Sequence, residues 1–359
     1  MNPAVNPAAT LQVVLPDSFE DPMRPSGGNT YDRRICQGLS AAGWSVRTRP
    51  VTGAWPWADE ADRLALGEAL SAIPDGAVVL VDGLVASAVP ELLVPASRRL
   101  RLVILLHMPL GQRANGDGVP EHECAVLTAA AAVITTSTWC RGWVLESYRL
   151  DPTTVWVAEP GVDAAEPATG SDHGGNLLCV ASVSRAKGHD VLLAALTQVA
   201  DLEWRCLCMG ALDREPDFVA ELGRSAHAAG VADRMVMAGP RTGDALDASY
   251  AAADALVLAS RSETYGMVVT EALARGLPVL ATDVGGVSEA LGRAPDGTRP
   301  GLLMPYGDVD FLAASLRRWL CDAGLRESLR ESARKRRTGL ATWSETTDRI
   351  ARVLVEVAA

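Results

Sequence analysis

The sequence predicts an α/β protein of two domains, each a parallel sheet covered by helices on both faces. Three observations carry this expectation. At 359 residues, the chain exceeds what a single hydrophobic core usually fills. Short, unbroken apolar runs bounded by polar residues recur along its length, with amphipathic stretches between them. That alternation is the pattern of strand–helix–strand units whose strands are buried on both sides. Finally, Thr169 to Gly175 is polar and glycine-rich and reads as the linker between two such series. The expected domains are residues 1–165 and 166–341, with 342–359 left as a closing helix.

The elements follow in order. Leu11–Leu15 is a first strand, followed by a long loop to Ser26 and then Gly27-Gly28. Ile35, Leu39 and Ala42 mark one face of a helix ending near Gly43. Trp44–Arg49, Ala77–Asp82, Leu102–Leu106, Ala132–Thr135 and Val155–Ala158 are further strands. Asp82 and His107 fall at strand carboxyl ends, where sheets of this type place their ligands. The second half restarts with a strand from Asn176, the loop Ser184-Arg-Ala-Lys187-Gly188 and a helix from His189. Strands at Leu207–Met209, Met235–Met237, Ala255–Ala259, Val279–Ala281 and Leu302–Leu303 follow. Asp308 precedes an amphipathic run and reads as a helix cap, not as half of an Asp-x-Asp metal site. Trp343 opens a last helix carrying Ile350, Val353, Leu354 and Val357.

Composition narrows the function. A formal net charge of −11 argues against nucleic acid as a partner. No uninterrupted apolar run reaches membrane-spanning length, so no integral membrane segment is expected. The first residues show no basic region and no long apolar core, so a short lead-in is expected, not a secretory signal. Seven cysteines without a Cys-x-x-Cys pair read as buried thiols of a reducing, cytoplasmic compartment. The five histidines form no ligand-spaced cluster, so no metal site is expected. A dinucleotide Gly-x-Gly-x-x-Gly is absent, which disfavours a dehydrogenase.

One stretch organises the rest: Ser260-Arg-Ser-Glu263-Thr-Tyr265-Gly266-Met267-Val268-Val-Thr-Glu271-Ala-Leu-Ala274. It reads as a polar loop between a buried strand and a helix, with Ser262 and Thr264 as candidate caps. Gly266 lets the backbone approach a ligand closely. The first turn of such a helix offers N–H groups and partial positive charge to an anion. A carboxylate on each side suits a ligand with phosphate in the middle and hydroxyls on both flanks, as in a nucleotide sugar. The bland alternative is a capped helix, with Glu263 an acid near its positive end and Glu271 solvated.

With these pieces placed, the chain resembles the retaining nucleotide-sugar glycosyltransferases of family four. Glu263, seven residues and Glu271, within Ser-x-x-Glu-x-Tyr-Gly-x-x-x-x-Glu-Ala, look like that family's paired-glutamate motif. Gly27-Gly28, His107, Gly161-Val-Asp163, Lys187-Gly188, Gly285-Gly286-x-x-Glu289 and Trp343 also match in order. The resemblance implies the GT-B fold: two Rossmann-like, doubly wound domains facing across a cleft and closing over the donor. The helix from Trp343 would cross back onto the first domain. It further implies that Glu271 binds the ribose, and that backbone from Tyr265, Gly266, Met267 and Val268, with Gly27 and Gly28, faces the diphosphate or sugar hydroxyls. Glu263 would grip the donor hexose, His107 would approach it from the N-terminal domain, and Lys187 would neutralise the leaving diphosphate. The family usually has an arginine five residues before the lysine. Here that residue is Ser182, and Arg185 is the obvious stand-in.

The implied reaction is hexosyl transfer from a nucleoside diphosphate to an acceptor hydroxyl with retained anomeric configuration. It needs no cofactor and no metal, because Lys187 and the helix starts face the leaving group. The departing phosphate would take the acceptor's proton on the same face. The N-terminal domain should bind the acceptor, with Gly53–Glu60 or Gly111–Glu123 lining its site. The acidic N-terminal half points to a small-molecule acceptor over a lipid at an anionic membrane. An epimerase or hydrolase on the same fold, or a non-catalytic nucleotide-sugar binder, are the alternatives.

Overall fold

A computed structural model describes residues 10–21, 25–112 and 118–359. The expected lead-in lies outside these residues, as does part of the Gly111–Glu123 stretch. The chain forms two compact units. One comprises the first strand, Ser26–Gly161 and Ala341–Ala359; the other comprises Val162–Leu340.

The N-terminal unit holds six strands: β1 Thr10–Pro16, β2 Ser45–Val51, β3 Val78–Asp82, β4 Arg101–Leu106, β5 Ala132–Thr135 and β6 Val155–Val157. They form one sheet in the order β2-β1-β3-β4-β5-β6, with every pairing parallel. Residues of β1, β3 and β4 are almost wholly buried, which explains why these strands read as continuous apolar runs and not as alternating ones. One face packs on the helix Gly27–Ala41 and the C-terminal helix Trp343–Ala358, through Tyr31, Ile35, Leu39, Ile350, Val353 and Leu354. The closing helix therefore returns to the first sheet, as expected. Its N-cap Thr342 and Glu345 form a capping box. Two glycines let it sit there. A Cβ on Gly38 would lie 2.2 Å from Thr347 Oγ1, and one on Gly161 2.3 Å from the Trp343 nitrogen.

The C-terminal unit repeats the plan with β7 Asn176–Val180, β8 Arg205–Met209, β9 Met235–Met237, β10 Ala255–Leu258, β11 Val279–Thr282 and β12 Gly301–Met304. Its all-parallel order is β12-β11-β10-β7-β8-β9. In each unit the chain winds outward from its first strand, then returns to build on that strand's other side. The reversal leaves a topological switch point at β1/β3 and at β7/β10, and ligands of doubly wound sheets bind at the carboxyl ends there. Asp308 does cap the following helix, accepting from the Phe311 N–H at 2.8 Å.

Three expectations are corrected. Thr169–Gly175 is no linker. Ser171 gives its backbone N–H to the buried Asp254 at 2.6 Å and its hydroxyl at 2.7 Å, and the Gly174 carbonyl accepts from the Trp319 indole. The units instead part at Gly161/Val162, because Gly161 is packed on Trp343 whereas the Ala165 carbonyl already binds Arg337. Ser262 and Thr264 do not cap the helix after β10. It runs Met267–Ala274 and is entered through Gly266 at φ 90°, with no side-chain cap. Nor are all seven cysteines buried: Cys36 and Cys124 are half-buried and Cys321 is exposed, although all seven carry free thiols.

Candidate functional site

In the C-terminal unit, the loops leaving β7 and β10 bring Lys187 and Glu263 together. Lys187 ends a short 3-10 turn, Arg185–Lys187, closed by Gly188 at φ 66°. A Cβ on Gly188 would meet the Ala259 carbonyl oxygen at 1.9 Å, so only glycine lets this loop lie against the end of β10. The Arg261 N–H reaches back to the Ala186 carbonyl. The result is a direct ion pair, Lys187 Nζ to Glu263 Oε1 at 2.7 Å, with the Ser260 hydroxyl donating to the same oxygen at 2.7 Å. Both partners keep some exposure, 23% and 11% of their side chains, so the pair is fixed and still open to a ligand.

The loop after β11 supports this arrangement from behind. The Gly286 N–H donates to the Glu263 carbonyl at 3.2 Å. A Cβ there would stand 2.3 Å from the Thr264 carbonyl oxygen, and Gly285 before it turns at φ 55°, so each of the two glycines has its own reason. Behind Gly266, the first-turn N–H groups at Met267 and Val268 open the helix without a side-chain cap. Tyr265 is buried beneath them. Glu271 lies one turn further along, where its Oε2 accepts from the Tyr250 hydroxyl at 2.8 Å. Arg275 lies over the Tyr250 ring, 4.4 Å from its centroid, and donates to the Glu271 carbonyl. Burial raises the Glu271 carboxyl above the usual range, against the pull of Tyr250 and Arg275.

Arg185 does not join this group. Its guanidinium pairs with Glu221 at 2.6 Å and lies over the Phe218 ring. The arginine that the resemblance misses at Ser182 is therefore not replaced from Arg185. Arg261 is no substitute either, because it is held by both carboxylate oxygens of Asp190 at 2.7 and 2.8 Å.

In the N-terminal unit, Gly27 and Gly28 open the helix after β1, with Ser26 capping it through the Asn29 N–H. A Cβ on Gly28 would lie 3.3 Å from His107 Cδ2, so the histidine ring packs against the glycine pair. His107 follows β4 and meets two carboxylates at the switch point: Asp32 Oδ1 at 2.8 Å and Asp82 Oδ2 at 3.5 Å from its Nε2. The Tyr31 ring stands edge-on to the imidazole, with centroids 5.1 Å apart, and is itself anchored by its hydroxyl on the Ala158 carbonyl. Asp82 also caps the next turn through the Leu84 N–H.

Asp32 went unnoticed in the sequence, although a signal was available. It sits three and seven residues before Ile35 and Leu39, so an acid lies on the apolar face of an otherwise amphipathic helix. Glu123, in one of the stretches expected to line an acceptor site, is instead a buried structural pin. Its carboxylate accepts from the N–H groups of Leu110 and Gly111 and from the Ser87 and Tyr148 hydroxyls.

This two-unit architecture recurs in solved structures. It matches sucrose-phosphate synthase from Thermosynechococcus elongatus with a TM-score of 0.79 at 21% identity, over 97% of this chain and 98% of that one. It matches Anabaena HepE in complex with UDP-glucose with a TM-score of 0.77 at 18% identity, over 96% and 99% of the two chains. At such identities the likeness shows the fold, and the fold is GT-B. In sequence, residues 167–336 match the family described as Glycosyl transferases group 1. The D-inositol 3-phosphate glycosyltransferase of Salinispora arenicola is 32% identical over 295 residues, 74% of this chain and 64% of the relative. The chain thus spans less than two thirds of that relative's length. Residues 167–336 thus carry the sequence pattern of group 1 glycosyl transferases, on a chain with the GT-B fold. No helix among the described residues is long and apolar enough to cross a membrane.

Proposed function

We propose that the protein is a retaining, metal-independent glycosyltransferase that moves a hexosyl group from a nucleoside-diphosphate sugar to a hydroxyl of a small polar acceptor. The observation that carries this reading is the Lys187–Glu263 ion pair beside the uncapped start of the helix Met267–Ala274. Departure of the diphosphate leaves negative charge on its oxygens and positive charge on the anomeric carbon. Lys187 Nζ has three donors, of which Glu263 takes one; the others serve the phosphate. The first-turn N–H groups at Met267 and Val268 add fixed partial charge to the same side, a preorganised field of the kind that supplies the largest share of catalysis in many enzymes.

Glu263, held by Lys187 and Ser260, accepts from hexose hydroxyls and orients the sugar without attacking it. Glu271 has one carboxylate oxygen on Tyr250, which leaves Oε1 to accept from the ribose hydroxyls. Gly27 and Gly28 give backbone access to the donor, and His107 Nδ1 meets the hexose. The leaving phosphate oxygen takes the acceptor proton on the same face, so no separate base is required. The relatives named for D-inositol 3-phosphate support a soluble, polar acceptor. The seven free thiols fit a reducing compartment such as the cytoplasm.

The test is a panel of nucleotide sugars screened by thermal shift, then turnover with polyol and phosphorylated polyol acceptors with and without EDTA. The reading expects a glycoside of unchanged anomeric configuration, formed at the same rate in the chelator. Free or rearranged sugar without acceptor would point to a hydrolase or epimerase. Donor binding that never leads to turnover would leave a binding protein.

A further inference from the structure

The N-terminal switch point holds more charge than the proposed chemistry asks of it. Three ionisable groups, Asp32, Asp82 and His107, place one ligand-type atom each within 4.8 Å of one another. Both carboxylates are nearly sealed from water, at 1% and 6% side-chain exposure, while the imidazole keeps 17%. No basic residue other than His107 is paired with either carboxylate among the described residues. Two bare carboxylates and one imidazolium would leave a net negative charge buried here, which is costly.

The geometry indicates how that cost is avoided. Asp32 Oδ2 is buried and has no hydrogen-bond partner unless Asp82 carries a proton. Burial, and then the charge of Asp32, push the Asp82 carboxyl up to about 7. A protonated Asp82 has an O–H to offer that orphaned oxygen. The remaining charge on Asp32 then balances a cationic His107. Burial alone would drive the imidazole toward neutrality. The charge of Asp32 and the hydrogen bond with it, followed by Asp82, outweigh this and raise it to about 9. Tyr31 is the other titratable group against the ring, and its own burial keeps it neutral.

We propose that Asp32 is a positioning residue which, with Asp82 sharing one proton, locks His107 as an imidazolium. The ring is bound to Asp32 through Nε2 and braced by Gly28 and Tyr31, so only Nδ1 remains without a partner among the described residues. His107 then meets its ligand as a fixed cationic N–H donor and cannot serve as a base. The assignment rests on the glycosyltransferase reading only for the identity of that ligand.

The experiment reads the ring before it reads turnover. Histidine-labelled protein is titrated by NMR, with His107→Gln identifying the signal, in wild type, Asp32→Asn and Asp82→Asn. In the wild type His107 should stay protonated well above the ordinary histidine range. Asp32→Asn should lower its midpoint by about 1–3 units. Asp82→Asn keeps the Leu84 cap and an N–H donor for Asp32, so it should shift the midpoint less. A wild-type midpoint near that of the other histidines, or an Asp32→Asn protein with an unmoved midpoint, overturns the assignment whatever reaction the protein catalyses. With an active donor–acceptor pair, Asp32→Asn should lower kcat by ~10²-fold with little change in donor KM, and its activity should fall with a lower alkaline limit. If only donor KM changed and the alkaline limit stayed put, Asp32 would be a packing residue. Circular dichroism and thermal midpoints of both variants exclude loss of fold as the cause.

Discussion

At the β1/β3 switch point one imidazole stands against two carboxylates sealed from water. At β7/β10 one ammonium stands against a single carboxylate that water still reaches. The chain uses the same topological position twice, and the setting decides what the charges can do. The Lys187–Glu263 pair is balanced by itself and remains partly open to solvent. The Asp32–Asp82–His107 cluster is balanced only if a proton is shared within it, so its state follows pH. One switch point is thus a fixed electrostatic clamp, and the other is a protonation-dependent one.

Breaking the fixed clamp should have the largest effect. On the proposed mechanism, Lys187→Ala removes the charge aimed at the leaving group, and Glu263→Ala removes the acceptor that orients the sugar. Each should lower transfer by ~10²–10³-fold, the scale of losing one preorganised donor, while the thermal midpoint stays close to wild type because both side chains are partly exposed. Near-normal turnover in purified Lys187→Ala protein would sink the charge argument.

The loop support is the next test. Gly286→Ala would place a Cβ 2.3 Å from the Thr264 carbonyl oxygen, a backbone atom that cannot swing away. The loop carrying Glu263 must then shift, and misplacing a reacting group by about 1 Å costs on the order of 10²-fold. Turnover should fall toward the Lys187→Ala value while circular dichroism is unchanged. Wild-type kinetics would mean that the two loops are not coupled.

The titrating switch point makes a prediction of opposite character, one of stability. His107 binds its proton more tightly folded, with a pKa of about 9 against 6.5 for the free group. Its stabilisation is complete below 6.5 and is lost as pH rises through 9. Asp82, raised from 3.8 to about 7, has the same sign, so its contribution is lost between those values as pH rises. Thermal midpoints should therefore decline from weakly acid to pH 9, and Asp32→Asn should flatten the upper part of that decline. A wild-type profile with no slope between 6.5 and 9 would contradict a buried imidazolium.

This contrast also explains what the sequence made legible. The inner strands were readable because a strand buried on both faces is an unbroken apolar run and needs no neighbour to identify it, whereas the edge strand β2 is mostly exposed and polar and lacks that signal. Lys187, Glu263 and Glu271 were readable because they follow such strands and match a known motif. Asp32 was only half legible: its place on an apolar helix face was a signal, but its importance comes from Asp82 and His107, 50 and 75 residues away in the chain. Thr169–Gly175 misled for a related reason. Its polar, glycine-rich composition suggests a linker, but Asp254, buried and remote in sequence, takes the Ser171 N–H and hydroxyl. The missing cap at Gly266 was likewise invisible, since Ser262 and Thr264 are good cap residues that the bend at Gly266 places outside the helix.

Donor binding should carry a smaller pH signature of its own. Burial raises the Glu271 carboxyl, so it is protonated earlier than an ordinary glutamate as pH falls. The neutral form loses acceptor strength toward ribose hydroxyls, and donor affinity should weaken at acid pH. Glu271→Gln should bind donor more weakly at neutral pH and lose that pH dependence. Calorimetry with a nucleoside diphosphate reads both, and an identical acid slope in the variant would move the ribose contact elsewhere.

The smallest expected effect is the sharpest test of where the second cation lies. The resemblance assigns an arginine near Lys187, and by sequence Arg185 is the candidate. Its side chain is 59% exposed, with its guanidinium paired with a Glu221 that is 51% exposed and laid over Phe218. Exposed pairs of this kind contribute ~0–1 kcal/mol, and that contribution here goes to holding the helix Pro216–Ala228 against its loop. Arg185→Ala should therefore leave kcat and donor KM within about twofold and lower stability by no more than that pair is worth. A loss of donor affinity approaching that of Lys187→Ala would mean that Arg185 leaves Glu221 to reach the diphosphate. The C-terminal clamp would then carry two cations, and the contrast with the single imidazolium of the N-terminal unit would be wider than the free protein displays.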